Sequence, residues 1–484
     1  MSASFLFYDL ETFGTDPGRS RIAQFAAIRT DLELQPIGPP IDFLVRPADD
    51  LLPSPAAAMT TLLGPQRALR EGVGEAEAFA RIAEEMGQPG TCSVGYNSLR
   101  FDDEFIRYGL YRNFHDPYER EWRNGNSRWD LLDALRLMHA LRPDGLTWRR
   151  REPEAAGTSF RLEHLAADNG LREGMAHEAL SDVRALLGLA RRFREAQPRL
   201  WDYALSLRDK AYAGRLLEPA AAQPVLHVSS RFRPEHHYAA AVLPLARHPR
   251  YEKQQVIVCD LAADPTPLLE LPAEAIAARV FTRRADLPDG VERIPLKCVH
   301  LNKSPALVPW SLLRGADFAR LGLDPAQALR HAERLRERAA DVAEKVRQVY
   351  AGRGEDAAEV DVDQALYRGF LGEGDRRLLA QVRATPPERL GQVRFPFRDA
   401  RLPELLLRYR ARNWPHTLGA DERAHWDAYR RRRLLQDSGL SELDYAGYQA
   451  EIARLRAEHA GDPVRLALLD ELQAWGEALR AGLG

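Results

Sequence analysis

The stretch FLFYDLETFG, Phe5 to Gly14, places two carboxylates, Asp9 and Glu11, two positions apart at the end of an apolar run. Side chains alternate between the two faces of a β-strand, so a strand here points both acids to one side. Like charges in one small site raise each other's proton affinity unless a cation neutralises them. Alone, such a pair most often marks a strand end reaching solvent. Two further acid-bearing stretches change that reading: VGYNSLRFDDEF with Asp102 and Asp103, and MAHEALSDVRAL with His177 and Asp182. Five positions along a helix turn a side chain by about 140°. His177 and Asp182 therefore converge only if His177 lies in the loop entering the helix and Asp182 in its first turns. Four carboxylates with one histidine are hard to explain as packing, and no obvious set of buried arginines accompanies them. Oxygen ligands select hard cations, Mg²⁺ or Mn²⁺, over zinc. Two such ions about 3.5–4 Å apart serve in-line displacement at phosphorus, one activating water and the other stabilising the leaving oxygen. A histidine beside them suits a general base near neutral pH.

The elements that must position these groups are visible as changes of periodicity. FLFYDL, IAQFAAIRT and IDFLVRP are three successive strand candidates, GEAEAFARIAEEMG is a helix ended by Gly87, and TCSVGYN is a further strand. DDEFIRYGLYRNF, RWDLLDALRLMHAL and HEALSDVRALLGLARRFREA have helical spacing, with Asp130 and Asp133 capping or flanking the second of them. Strands followed by alternating helix and strand predict an α/β layer with a mixed sheet. Past QPRLWDY the pattern turns to short strands with few helices, PVLHVSS, HYAAAVLPL, QQVIVCDLA, ARVFTRRADLP and IPLKCVHLNKSP, as in a small β-barrel. From about Asp324 it is helical, interrupted by the polar stretch GRGEDAAEVDV.

Composition narrows the class. The chain has 484 residues, 45% hydrophobic and 29% charged, enough for two to four domains of ordinary globular protein. No apolar run is long enough to span a bilayer, and the N-terminus lacks a basic region and cleavage site, so an intracellular, cytoplasmic protein is expected. Its three cysteines, Cys92, Cys259 and Cys298, are too scattered for a disulfide framework or a thiolate zinc site. A formal net charge of −2 neither demands nor forbids a polyanionic partner, which responds to local patches.

Asp9 and Glu11 in DLETFG, Asp102 in YNSLRFDDE, and His177 with Asp182 in HEALSD resemble, in order, the three motifs of the DEDDh superfamily of 3′→5′ exonucleases. Glu178 stands where the tyrosine variant of that superfamily has its tyrosine, so the histidine variant is indicated. Asp102 follows Phe101 as in the family motif, with Asp103 beside it as the alternative. QFAAIRTD, RPADD, NSRWDLLDALR, ALRPDGL, SFRLEHL, QPRLWDY, HLNKSP and YRARNWP extend the resemblance across the chain to the bacterial exonuclease I family, and Tyr96 before Asn97 fits that family better than proofreading relatives.

The resemblance implies an RNase H-like exonuclease domain (1–196), an SH3-like β domain (197–352) and a C-terminal α-helical domain (353–484). It implies a processive monomer that degrades single-stranded DNA from its 3′ end to 5′-mononucleotides, in DNA repair and recombination. Asp9, Glu11 and Asp182 would bind two Mg²⁺ ions, for which Mn²⁺ could substitute, with Asp102 completing the cluster and His177 as base. Arg107, Tyr118, Trp122, Arg136 and Arg161 match DNA-contacting stretches of the family, where cations meet phosphates and rings meet bases. Glu11, Thr12 and Phe13 would touch the terminal nucleotide. Arg142 and Tyr203 are the candidates for gripping the acidic C-terminal tail of single-stranded-DNA-binding protein. Competing readings are an RNA-trimming or proofreading exonuclease, and a catalytically silent single-strand-binding scaffold.

Overall fold

The computed structural model describes residues 3–151, 157–172, 178–352 and 360–483. The chain divides into two compact units: Met1–Ser127 with Arg172–Leu187 and Ala358–Gly484, and Arg128–Leu171 with Gly188–Ala357. In the first unit, β1 (Ser4–Thr12) pairs antiparallel with β2 (Ile22–Thr30) and parallel with β4 (Thr91–Gly95), while β3 (Ile41–Leu44) pairs with β2. The sheet is therefore mixed, with β1 inside it. Strand alternation sends Leu6, Tyr8 and Leu10 into a cluster with Phe25, Phe79, Ile82 and Phe105, which leaves Asp9 and Glu11 on the opposite face. The helix Glu75–Gly87 packs Ala78, Phe79 and Ile82 on this cluster, and the helix Asp102–Arg112 adds Phe105, Ile106 and Leu110.

The strand β5 (Ser127–Asp130) carries the chain into the second unit. The Asp130 carboxylate accepts from the Leu132 amide at 3.1 Å and so caps the helix Leu131–Leu141, as the sequence reading expects, although Ser127–Asp130 is extended where that reading began the helix. Five strands follow: β6 (Val225–Val228), β7 (Ala239–Arg247), β8 (Gln255–Asp260), β9 (Leu296–His300) and β10 (Ala306–Pro309). They form an antiparallel sheet in the order β10-β6-β7-β8-β9.

The expected strand ARVFTRRADLP is not one. Ala273–Phe281 is a helix, because Ile276 and Val280 lie four apart and bury together, and the alanines around them favour helix. The edge strand β10 escaped notice because it is four residues long and ends in Pro309. Pro325–Glu337 opens the helical run, its amides at Ala326 and Gln327 bonded to Asp324, and Val342 and Val346 of Ala339–Ala351 pack into the same core as β7 and β8.

The C-terminal helices join the first unit through buried charge. Asp50 and Asp363 are both 0% exposed. Arg412 reaches Asp50 at 2.8 Å and Asp363 at 3.0 Å, Arg408 reaches Asp363 at 3.1 Å, and the Tyr429 hydroxyl donates to Asp363 at 3.0 Å. Arg433 donates to the Asp50 carbonyl at 2.7 Å, and Arg21 lies 3.6 Å from the Asp50 carboxylate. Burial alone would raise both acids, but the arginines outweigh it and hold Asp50 and Asp363 well below the usual carboxylate range. Removing one partner strands the others without solvent. Asp363→Asn is expected to destabilise the first unit by about 3 kcal/mol or more, whereas Arg81→Ala, at the exposed pair with Glu77, changes it by less than about 1 kcal/mol; the first transition in denaturant unfolding checks both.

Candidate active site

Three segments bring the acids together. Asp9 and Glu11 stand at the end of β1 on the face opposite Tyr8 and Leu10, where the register with β2 shifts between Glu11 and Thr12. Asp182 lies in the first turn of the helix Ala179–Ala196, as the convergence argument requires. Carboxylate oxygens of Asp9, Glu11 and Asp182 lie within 4.8 Å of one another, the one such three-residue group of potential metal ligands among the described residues. Gln24, opposite Glu11 in the β1–β2 register, braces that helix by accepting from the Ala179 amide at 3.4 Å while its own amide donates to Asp42 at 2.8 Å. His177 falls outside the described residues.

Asp102 and Asp103, side by side at the start of the helix Asp102–Arg112, have different surroundings. Asp103 accepts from the Tyr8 hydroxyl at 2.8 Å and from Arg120 at 2.6 Å, and all three are buried. Asp102 instead acts on Asp9 and Glu11, raising the proton affinity of both. The pair thus splits into one acid that charges the cluster and one that anchors the helix. Tyr8 and Arg120 are partners of Asp103 that the sequence reading missed; the signal was Tyr8 alternating with Asp9 on the strand, which puts its hydroxyl on the other face.

Burial is the largest influence on Asp9, followed by the charges of Asp102, Glu11 and Asp182, and together they hold it well above the usual carboxylate range. Burial, Asp182, Asp102 and Glu178 push Glu11 up to about 8. Arg172 meets Asp182 at 2.7 Å, an arginine partner of the cluster that the sequence reading did not foresee. The Arg172 guanidinium faces Asp182, and the charge of Glu11 still raises the proton affinity of Asp9. An all-carboxylate donor set in which Asp9 and Glu11 hold protons more tightly than usual fits a hard divalent cation, which would displace those protons on binding.

The remaining predicted contacts are distributed as follows. Thr12 is buried and its hydroxyl donates to the Gly14 carbonyl at 2.6 Å. The Phe13 ring packs in an apolar cluster with Ala23, Leu44, Leu51 and Leu63. Arg107 is buried and bidentate to Glu121 at 2.7 and 3.0 Å, with Glu104 at 2.9 Å, and its guanidinium lies 5.6 Å from the Tyr118 ring centre. Tyr118 and Trp122 line a cavity of about 150 Å³ with Phe370, Leu371 and Arg376, and Trp122 is 63% exposed. Phe370, exposed and edge-on to Tyr118, is a ring the sequence reading did not single out.

In the second unit Arg136 pairs with Asp133 at 2.8 Å and lies 5.7 and 5.8 Å from the ring centres of Phe160 and Tyr238. Arg161 is exposed beside Glu163. Arg142 is exposed and donates to the Leu141 carbonyl at 2.7 Å, and the half-buried Tyr203 hydroxyl donates to the Leu307 carbonyl at 2.7 Å.

Family models described as Exonuclease, Exonuclease I SH3-like domain and Exonuclease I C-terminal domain match residues 6–190, 208–352 and 360–479. Exodeoxyribonuclease I of Escherichia coli K12 is 41% identical over 477 residues, covering 99% of this chain and 98% of that protein. The chain belongs to the exonuclease I family. Among solved structures, the moderately thermophilic exonuclease I of Methylocaldum szegediense is 46% identical with a TM-score of 0.93, covering 99% of each chain. The zinc-bound form of the Escherichia coli exonuclease I complex with single-stranded DNA is 40% identical with a TM-score of 0.92, covering 99% of this chain and 100% of that one. As a member of this family, the chain combines the RNase H-like exonuclease, SH3-like and C-terminal helical folds. No helix among the described residues is long and apolar enough to cross a membrane.

The crowding has a measurable sign. Glu11 holds its proton more tightly folded than unfolded, so the folded chain carries the extra proton between its ordinary value of 4.5 and about 8. Stability therefore falls as pH rises through that window. In chelator the melting temperature is expected to drop between pH 5 and 8, and the gain on adding Mg²⁺ is expected to be larger at pH 8 than at pH 6. A melting temperature independent of pH and Mg²⁺ would contradict the arrangement.

Proposed function

We propose that this chain is a processive 3′→5′ exonuclease that degrades single-stranded DNA to 5′-mononucleotides. The observation carrying this reading is the convergence of the Asp9, Glu11 and Asp182 oxygens within 4.8 Å, under the added charge of Asp102, in a chain whose relatives along its whole length are exodeoxyribonucleases. Asp9, Glu11 and Asp182 would hold two Mg²⁺ ions, or Mn²⁺ in their place. When bound, these supply charge neutralisation at the phosphate and a more acidic water.

The residues of the chain have the following parts. The carboxylates would fix where positive charge stands, and Thr12, just past the register shift after Glu11, would lie beside the terminal nucleotide. His177 would take the proton of the attacking water, a role resting on the family resemblance. Water oxygen bonds to the phosphorus of the last nucleotide, the bond to the 3′ oxygen of the shortened strand breaks, and that oxygen takes up a proton. Tyr118 and Trp122 offer faces for upstream bases, while Arg107, bound to Glu121 and Glu104, supports Tyr118 from behind. Arg136 and Arg161 would meet phosphates.

The same reading gives a cytoplasmic monomer acting in repair and recombination, with domains 1–196, 197–352 and 353–484. It includes docking of the acidic tail of single-stranded-DNA-binding protein at Arg142 and Tyr203. The exposure of Arg142 supports its part in that contact.

The test is degradation of 3′- and 5′-labelled single-stranded oligonucleotides, DNA and RNA, with Mg²⁺ or chelator. Mononucleotides are expected from the 3′ end of DNA only with the metal, and Asp9→Ala is expected to lower the rate by about a thousandfold. Preference for RNA would favour the trimming enzymes instead, and binding without cleavage would remove the catalytic reading.

A further inference from the structure

Glu11 is followed by a turn that bonds to a residue more than four hundred positions away. Part of this turn, residues 13–21, is closed locally. Phe13 N donates to the Arg21 carbonyl at 2.9 Å, Ser54 N to the Phe13 carbonyl at 2.6 Å, and the amides of Gly18 and Arg19 to the Asp16 carboxylate at 2.9 and 3.2 Å. Between these closures the Asp16 amide donates to the Glu442 carboxylate at 2.7 Å, and the Thr15 hydroxyl approaches its second oxygen at 3.4 Å. A Cβ at Gly14 would collide with that carboxylate and with the Ser20 hydroxyl, so glycine there is what admits Glu442.

Both sides of the contact are held. Arg112, at the far end of the helix that begins with Asp102, donates to the Pro17 carbonyl at 2.9 Å, and Arg433 donates to the carbonyls of Arg19 and Leu440. Leu440 is buried, and Gln364 donates to the Gly439 carbonyl at 3.1 Å. Glu442 is only half-buried and stands outside the network of Asp50 and Asp363, so its carboxylate can be removed without opening a core.

We propose that Glu442 is a positioning residue for the Thr12–Asp16 turn, through which the C-terminal helical segment completes the seat of the 3′-terminal nucleotide. The inference rests on the nuclease reading. A charged acceptor bonded to a main-chain amide fixes that amide more firmly than solvent does, and the register break between Glu11 and Thr12 gives the turn leverage on where Thr12 points, past the metal-binding carboxylates.

The experiment compares wild type, Glu442→Ala and Glu442→Gln. Each is measured for kcat and KM on single-stranded DNA, for affinity toward thymidine 5′-monophosphate and Mg²⁺ by calorimetry, and for melting temperature. Glu442→Ala is expected to lose about tenfold in kcat/KM and in mononucleotide affinity, the size of one charge-assisted hydrogen bond. Its Mg²⁺ affinity should stay as in wild type and its melting temperature within about 2 °C. Glu442→Gln keeps an oxygen acceptor for the Asp16 amide and is expected to recover most of the loss. Wild-type kinetics and mononucleotide affinity in Glu442→Ala, equal impairment of both variants, or a melting temperature that collapses in Glu442→Ala would each overturn the proposal. A wild-type protein that releases no nucleotides would overturn the nuclease reading instead, and the mononucleotide titration would still decide the role of Glu442.

Discussion

Like charge held at close range is the constraint on which the architecture around the site depends. Asp102 and Asp182 raise the proton affinity of Asp9 and Glu11, and none of the segments carrying these acids would choose this arrangement alone. Each segment is therefore pinned by something other than the cluster. β1 is paired on both sides and buries Leu6, Tyr8 and Leu10. The helix Asp102–Arg112 is tied at its start through Asp103 to Tyr8 and Arg120, and at its end through Arg112 to the Pro17 carbonyl. The helix Ala179–Ala196 is met at its first residue by Gln24. Rigid supports let repulsion persist as an affinity for cations instead of relaxing into a splayed site.

The buried arginines resolve the opposite problem by the opposite means. Asp50 and Asp363 are as deep as any residue of the core, yet their carboxylates are held ionised because Arg412, Arg408, Arg433 and Arg21 surround them. Arginine suits this place: its planar fork can bond two acids at once, as Arg412 does, and can lie on an aromatic ring, as Arg408 does 3.7 Å from the Tyr429 ring centre. One unit thus holds two acid groups of contrary character, one poised to hold protons or metal and the other locked in ion pairs.

The acid spacing in DLETFG was legible because a strand's two-residue period leaves few choices, and the Asp102 and Asp182 stretches carried helix starts that could be read locally. The cap at Asp130 was legible for the same reason. What escaped needed partners distant in sequence. Nothing in YEREW says that Arg120 serves Asp103 or Arg107 serves Glu121, and nothing in YRARNW says that Arg412 closes on Asp50. The segment ARVFTRRADLP misled because its short apolar pair fits either period, and only the burial of Ile276 with Val280 on one helical face decides between them.

The first unit is assembled from both ends of the chain: Asp50 and the turn after Glu11 come from the beginning, Arg412, Arg433 and Glu442 from the last quarter. A ribosome delivers these groups in that order. While the second unit is being made, Asp50 has Arg21 but neither Arg412 nor Arg433, and the turn beside the acids lacks its outer support. Contacts between such distant residues form late and slowly. A nascent chain therefore carries its acids early but completes their surroundings only near the end of synthesis, which keeps a fragment from being a finished enzyme.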